Sequence, residues 1–163
     1  MAKRSVPQRR SVRKRVVRAG RSNVATSSLR YIESSALVAA LLEHDAAVLR
    51  ASAGTQHVTS ALTFAEADRA IIRARATGRL SPADEQAAVR ALRTFERRCF
   101  IVDVDRAVLA RVRRPFPIEP IRTLDAVHLS TTELLGEPPQ VVTIVTRDSR
   151  VRDNARALGY IVE

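Results

Sequence analysis

From Leu29 onward, short apolar runs alternate with stretches of helical periodicity, and this constrains the fold more than any other feature. Leu29–Ile32 reads as a strand. Ser34 or Ser35 caps a helix whose apolar positions Leu37, Val38, Leu41, Leu42, Val48 and Leu49 recur at helical spacing. Residues 57–60 form a second strand, and Thr63 opens a helix ending near Gly78. Ser81-Pro82 starts a third helix, with Asp84 placed for a capping box. Residues 98–104 read as a strand, with Cys99, Phe100, Ile101 and Val102 a continuous buried run. Residues 105–114 form a short helix, followed by a loop containing Pro115, Pro117 and Pro120. A helix over 123–135 is stopped by Gly136 and Pro138. A strand at 141–145, a helix at 149–158 and a strand at 160–162 complete the pattern. Strands joined through helices pair in parallel, so the predicted class is α/β: a mostly parallel sheet sandwiched between helical layers.

In a parallel α/β sheet, ligands collect at the carboxyl ends of the strands. Four acids meet that rule. Glu33 ends the first strand, and Glu66 lies in the first turn of the helix after the second. Asp125 lies in the first turn after the proline loop, and Asp148 follows the 141–145 strand in Thr146-Arg147-Asp148. Carboxylates gathered at one edge repel, and a divalent cation is the usual remedy. An oxygen-only donor set favours Mg²⁺ or Mn²⁺ over zinc. Each acid also has a structural reading. Glu66 completes a Thr63-x-x-Glu66 capping box, Asp148 can cap a helix, and Asp125 suits a helix dipole. Glu33 has no evident capping role while Ser34 is available. His128, three residues after Asp125, shares its helix face, as a general base or, more commonly, a buried hydrogen-bonding group. Asp153 falls about 140° round the helix from Asp148 and is left out.

Several classes are excluded. The lone Cys99 gives no disulfide framework, and one Cys with three scattered His makes no zinc cluster. The longest apolar run, 36–42, is too short to span a bilayer, so no membrane association is expected. With no Trp and 4% aromatics, base stacking is not the main binding device. No phosphate-binding glycine motif occurs.

The net charge of +11 is concentrated at one end. Residues 1–30 hold ten Lys or Arg and no acid, whereas residues 31–163 carry 18 basic and 17 acidic groups. Residues 1–28 are therefore expected to form a disordered basic tail, and 29–163 the folded domain. No apolar segment follows the basic residues as a secretory signal requires. The tail reads as a nucleic-acid-binding arm, an organelle transit peptide, or the product of a start codon placed too early.

Tyr31-Ile32-Glu33-Ser34-Ser35-Ala36-Leu37-Val38 resembles the opening motif of PIN-domain ribonucleases of the VapC toxin type. The likeness continues through Thr59-Ser60-Ala61-Leu62-Thr63-Phe64-Ala65-Glu66 and is strongest at Arg122-Thr123-Leu124-Asp125-Ala126-Val127-His128-Leu129. It closes with Val145-Thr146-Arg147-Asp148 and Ala157-Leu158-Gly159-Tyr160, so it covers roughly residues 29–163. The resemblance implies a PIN-like three-layer α/β/α sandwich and a cytoplasmic, Mg²⁺- or Mn²⁺-dependent endoribonuclease that cuts single-stranded RNA. It also implies a small antitoxin protein as partner, and a homodimer. By motif match Glu66, Asp125 and Asp148 are catalytic, metal-binding acids, with Ser35 and Thr146 in support. Glu33 joins them, but the family pattern has Asp at this position. Glu keeps the charge and adds a methylene, about 1.5 Å of reach, and misplacements of roughly 1 Å cost large factors in rate. The alternative is therefore a PIN-fold RNA-binding or scaffold protein with weak or no catalysis.

Overall fold

A computed structural model describes residues 28–43, 45–49 and 54–163. Five strands, β1 (Leu29–Ile32), β2 (Gln56–Ser60), β3 (Phe100–Val102), β4 (Val142–Val145) and β5 (Ile161–Val162), form one sheet in the order β3-β2-β1-β4-β5. Every pairing is parallel. Among the described residues six α-helices connect them: α1 (Ser34–Leu42), α2 (Ala61–Ala76), α3 (Pro82–Glu96), α4 (Arg106–Val112), α5 (Thr123–Glu133) and α6 (Ser149–Ala157). The α/β class and parallel sheet expected from the alternation are present.

Period-2 alternation along β1 divides the core. Ile32 faces a cluster containing Leu37, Phe64, Ile71, Leu92 and Phe95 from α1, α2 and α3. Tyr31 faces the other cluster, with Phe116, Ala126, Leu129, Val151 and Ala155. Helices therefore cover both faces of the sheet, and both β1 residues are fully buried. The chain extends from β1 to β2 and β3 on one side, then crosses to β4 and β5 on the other. The order reverses between β1 and β4, where the carboxyl ends of two strands flank a crevice. Ile32 pairs with Val145, so Glu33 and Thr146 leave the sheet side by side, and the Glu33 N–H donates to the Val145 carbonyl at 3.0 Å.

Four local expectations are corrected. The first helix ends at Leu42, and Val48 and Leu49 belong to a separate 3-10 turn, Ala46–Leu49. The polar residues Glu43 and Asp45 interrupt the helix, although the apolar spacing runs on and Val48 still reaches the core. The second helix begins at Ala61, because the Ser60 side chain accepts the Leu62 N–H and takes the cap. The Thr63-x-x-Glu66 capping box does not form: Thr63 Oγ1 accepts from Thr59 Oγ1 instead. The third strand is only Phe100–Val102 and is not a buried run: it lies at the sheet edge, where Phe100 is 56% exposed.

The basic tail lies outside the described residues, apart from Ser28. That residue joins the domain: its carbonyl accepts the Gln56 N–H at 3.1 Å, and its hydroxyl lies 3.2 Å from Thr55 Oγ1. Among the described residues no helix is long and apolar enough to cross a membrane.

Candidate active site

Glu33 organises the crevice between β1 and β4. It is 3% exposed, and it, rather than Ser34 or Ser35, is the N-cap of α1. Oε2 accepts from the Ser35 N–H at 3.0 Å, the Ser35 hydroxyl and the Thr146 hydroxyl at 2.9 Å. Oε1 accepts from the Ser34 hydroxyl at 2.6 Å. Burying a carboxylate is costly unless donors surround it, and here four do. The longer side chain reaches across the switch point to Thr146 while it caps its own helix.

Ser35 and Thr146 extend this network into the next loop. Ser35 Oγ accepts the Arg147 N–H at 2.8 Å and the Asp148 N–H at 3.1 Å. Thr146 Oγ1 also accepts the Asp148 N–H, at 3.0 Å. Asp148 in turn caps α6: its Oδ1 accepts from Arg150 N at 2.7 Å and Val151 N at 3.2 Å. Both cap bonds fall on one oxygen, which leaves Oδ2 outside the cap. Arg147 is held at the rim by Asp45 at 2.5 Å.

Glu66 lies in the second turn of α2 rather than the first, since the helix starts two residues earlier than the spacing of Thr63 suggests. From there it reaches α5. His128 Nε2 lies 2.8 Å from Glu66 Oε2 and 3.7 Å from Glu33 Oε1. Its Nδ1 lies 2.9 Å from the Tyr31 hydroxyl. His128 is 1% exposed and Tyr31 fully buried, so His128 takes the buried hydrogen-bonding role. Burial first, then the charge of Glu33, holds the Tyr31 hydroxyl well above its ordinary pKa, so it keeps its proton. One imidazole thus bridges Glu66 at Nε2 and the Tyr31 hydroxyl at Nδ1.

Asp125 enters from the first turn of α5. Its Oδ2 is buried with no hydrogen-bond partner. Burial raises its pKa, as do the charges of Asp148 and Glu33, with Arg122 and His128 partly offsetting. Asn154, which the sequence reading missed, braces the proline loop ahead of this helix. Its side chain accepts the Ile118 N–H and donates to the Ile118 carbonyl, both at 2.9 Å. A polar Asn three residues after Val151, on the apolar face of α6, is the signal the sequence offers.

The fold thus joins Glu33 to Glu66 through His128, and to Asp148 through Ser35 and Thr146, and sets Asp125 within electrostatic range of Asp148 and Glu33. No three acidic, His or Cys side chains close into a metal cage among the described residues. An orphaned, partly desolvated carboxylate oxygen beside like charges is nevertheless a place a hard cation suits. Asp125 Oδ2, the uncapped oxygen of Asp148 and the second oxygen of Glu66 are the oxygens that could contribute to holding one. Glu33 fits direct ligation less well, because its Oε2 is filled by three donors.

The family model of the PIN domain matches residues 30–157. The chain is 36% identical over 135 residues to Ribonuclease VapC46 of Mycobacterium tuberculosis, covering 81% of this chain and 94% of that protein. It is 34% identical over 137 residues to Ribonuclease VapC35 of the same species, covering 81% and 93%. Among solved structures it resembles a chain of VapBC2 from Rickettsia felis, bound to a promoter DNA fragment, with a TM-score of 0.58 at 16% identity. That match covers 83% of this chain and 97% of the other.

Proposed function

The chain belongs to the PIN-domain family, among its VapC-type ribonucleases, and from this premise we propose that it is the toxin of a toxin–antitoxin pair, a divalent-metal-dependent endonuclease of single-stranded RNA. The observation that carries the proposal is the orphaned Asp125 Oδ2, buried beside Asp148 and Glu33 at the switch point of the sheet. Asp125, Asp148 and Glu66 would hold Mg²⁺ or Mn²⁺, which supplies charge neutralisation and Lewis acidity for hydrolysis at phosphorus.

The chain's own residues do the rest. His128 fixes the Glu66 carboxylate by holding one of its oxygens, and Tyr31 fixes His128. Glu33, Ser35 and Thr146 lock the β1 and β4 ends together, so that the Asp148 N–H is held by both Ser35 Oγ and Thr146 Oγ1 before any substrate arrives. Such preorganisation removes the cost of assembling charged groups during the reaction. A small antitoxin protein is the proposed partner, in keeping with the VapBC structure that the chain resembles.

A second reading, a PIN-fold RNA-binding protein without catalysis, is favoured by one observation only: the saturation of Glu33 Oε2. A cleavage assay on a mixed RNA pool separates the two. The wild type should cut with Mg²⁺ or Mn²⁺ and stop on chelation, and Asp125→Asn should not cut. RNA binding without metal-dependent cutting supports the second reading, and full activity in Asp125→Asn overturns the site.

A further inference from the structure

A groove of about 500 Å³ opens between α1 and α2, bordering the acids at Ser34, Ser35 and Glu66 and continuing along α2. Glu66, Arg69 and Arg73 all line it, spaced i, i+3 and i+7, so they share one face of the helix. Both arginines are exposed. Neither guanidinium makes an ion pair or hydrogen bond among the described residues, whereas nearby Arg75 pairs with Glu85, and Arg93 with Asp68 and Glu96. Arg73, in the last turn, also complements the helix dipole, but Arg69 at mid-helix has no such role. The remaining lining is largely apolar and includes Val38, Leu62 and Leu124, the last 47% exposed.

This combination suits one kind of occupant. Two unpaired guanidinium forks one helical turn apart match the oxygens of successive phosphates. Apolar shoulders beside them offer a surface for the face of a base. Glu66 belongs both to the groove and to the acidic centre, so a strand lying along α2 would run directly into the acids. We propose that this groove holds the backbone of single-stranded RNA, with Arg69 and Arg73 each binding a phosphate and the Leu62–Leu124 shoulder contacting a base, thereby feeding the next phosphodiester to the acids. The inference rests on the ribonuclease reading and names where its substrate lies.

The test uses the full chain with Arg69→Gln/Arg73→Gln, the charge-preserving Arg69→Lys/Arg73→Lys, and Arg90→Gln/Arg106→Gln as a control that removes two exposed charges elsewhere. Cleavage of a short single-stranded RNA in Mg²⁺ gives KM and kcat. Binding to the same RNA in an Asp125→Asn background, over a range of salt, gives the electrostatic slope. The Gln pair should raise KM about tenfold or more while kcat stays within about twofold. Its slope of log K against log salt should flatten by about 1.4, that is about 0.7 for each of two phosphates. The Lys pair should keep the slope, and the control should match wild type. A Gln pair whose KM and slope equal the control's overturns the proposal. If the wild type fails to cut RNA but the slope still flattens as stated, the groove assignment stands and the ribonuclease reading falls.

Discussion

Glu33→Gln separates two roles for the most buried acid of the site. As a ligand, Glu33 would cost stability in the metal-free protein through repulsion, and its neutralisation would be harmless or helpful under chelation. As the hub seen here, it holds four donors, three on Oε2 and one on Oε1. Gln has the same shape. Its carbonyl oxygen can take the Oε2 position and keep three of the bonds, and the Ser34 hydroxyl can turn to accept from the new amide. The change is then one of strength: a hydrogen bond to a charged group contributes about 1.5–3 kcal/mol and a neutral one about 0.5–1.5. Three weakened bonds amount to about 3 kcal/mol. Relief of the repulsion that Glu33 exerts on Asp125, and of one buried charge, offsets part of this. The net expectation is a loss of about 1–2 kcal/mol, or roughly 3–8 °C in Tm. Urea unfolding at pH 7 in EDTA, with wild type alongside, measures it. Unchanged or increased stability would refute the argument and return Glu33 to the role of a plain ligand.

Other consequences are equally direct. Asp125→Asn should stabilise the metal-free protein at pH 7: the folded carboxyl has a raised pKa, so ionisation opposes folding above the ordinary Asp range. That gain should fade as pH falls through the raised folded pKa and be gone below about 3.9, where both states are protonated; a gain that persists in acid would rule out the linkage. Tyr31→Phe should cost about 1–3 kcal/mol in urea unfolding, since it strands the buried His128 Nδ1 without changing volume, and a neutral result would show that this bond contributes nothing. Deleting residues 1–28, which hold nine basic groups, should flatten the salt slope of RNA binding by up to about 6 and leave the cleavage pattern unchanged. An unaltered slope would mean that the tail is no RNA-binding arm.

The order of elements was legible because apolar periodicity is a local property: strands of β-branched residues and helices with one apolar face declare themselves within about ten residues. What escaped depended on distant partners. Phe100 sits in an apolar run like any buried strand, but its exposure follows from β3 lying at the edge, which only the strand order determines. Thr63 and Glu66 have the spacing of a capping box, yet Ser60 captures the cap and thereby turns Glu66 toward α5. The four acids could be picked out one by one at junctions. That Glu33 is a cap and a clasp could not, because its partner Thr146 is 113 residues away in sequence.

That separation has a consequence for how the protein comes into being. Glu33 and Glu66 are made well before Thr146 and Asp148. At about 5–20 residues per second, the 115 residues from Glu33 to Asp148 take roughly 6–23 s to add. Until the end of that interval Asp148 does not exist, and for most of it β1 lacks its neighbour β4 and Glu33 lacks its clasp. Even the Thr146 N–H finds its acceptor only in the Glu163 carbonyl. A chain on the ribosome that has not yet reached Thr146 and Asp148 therefore carries the first acids without the partners that position them.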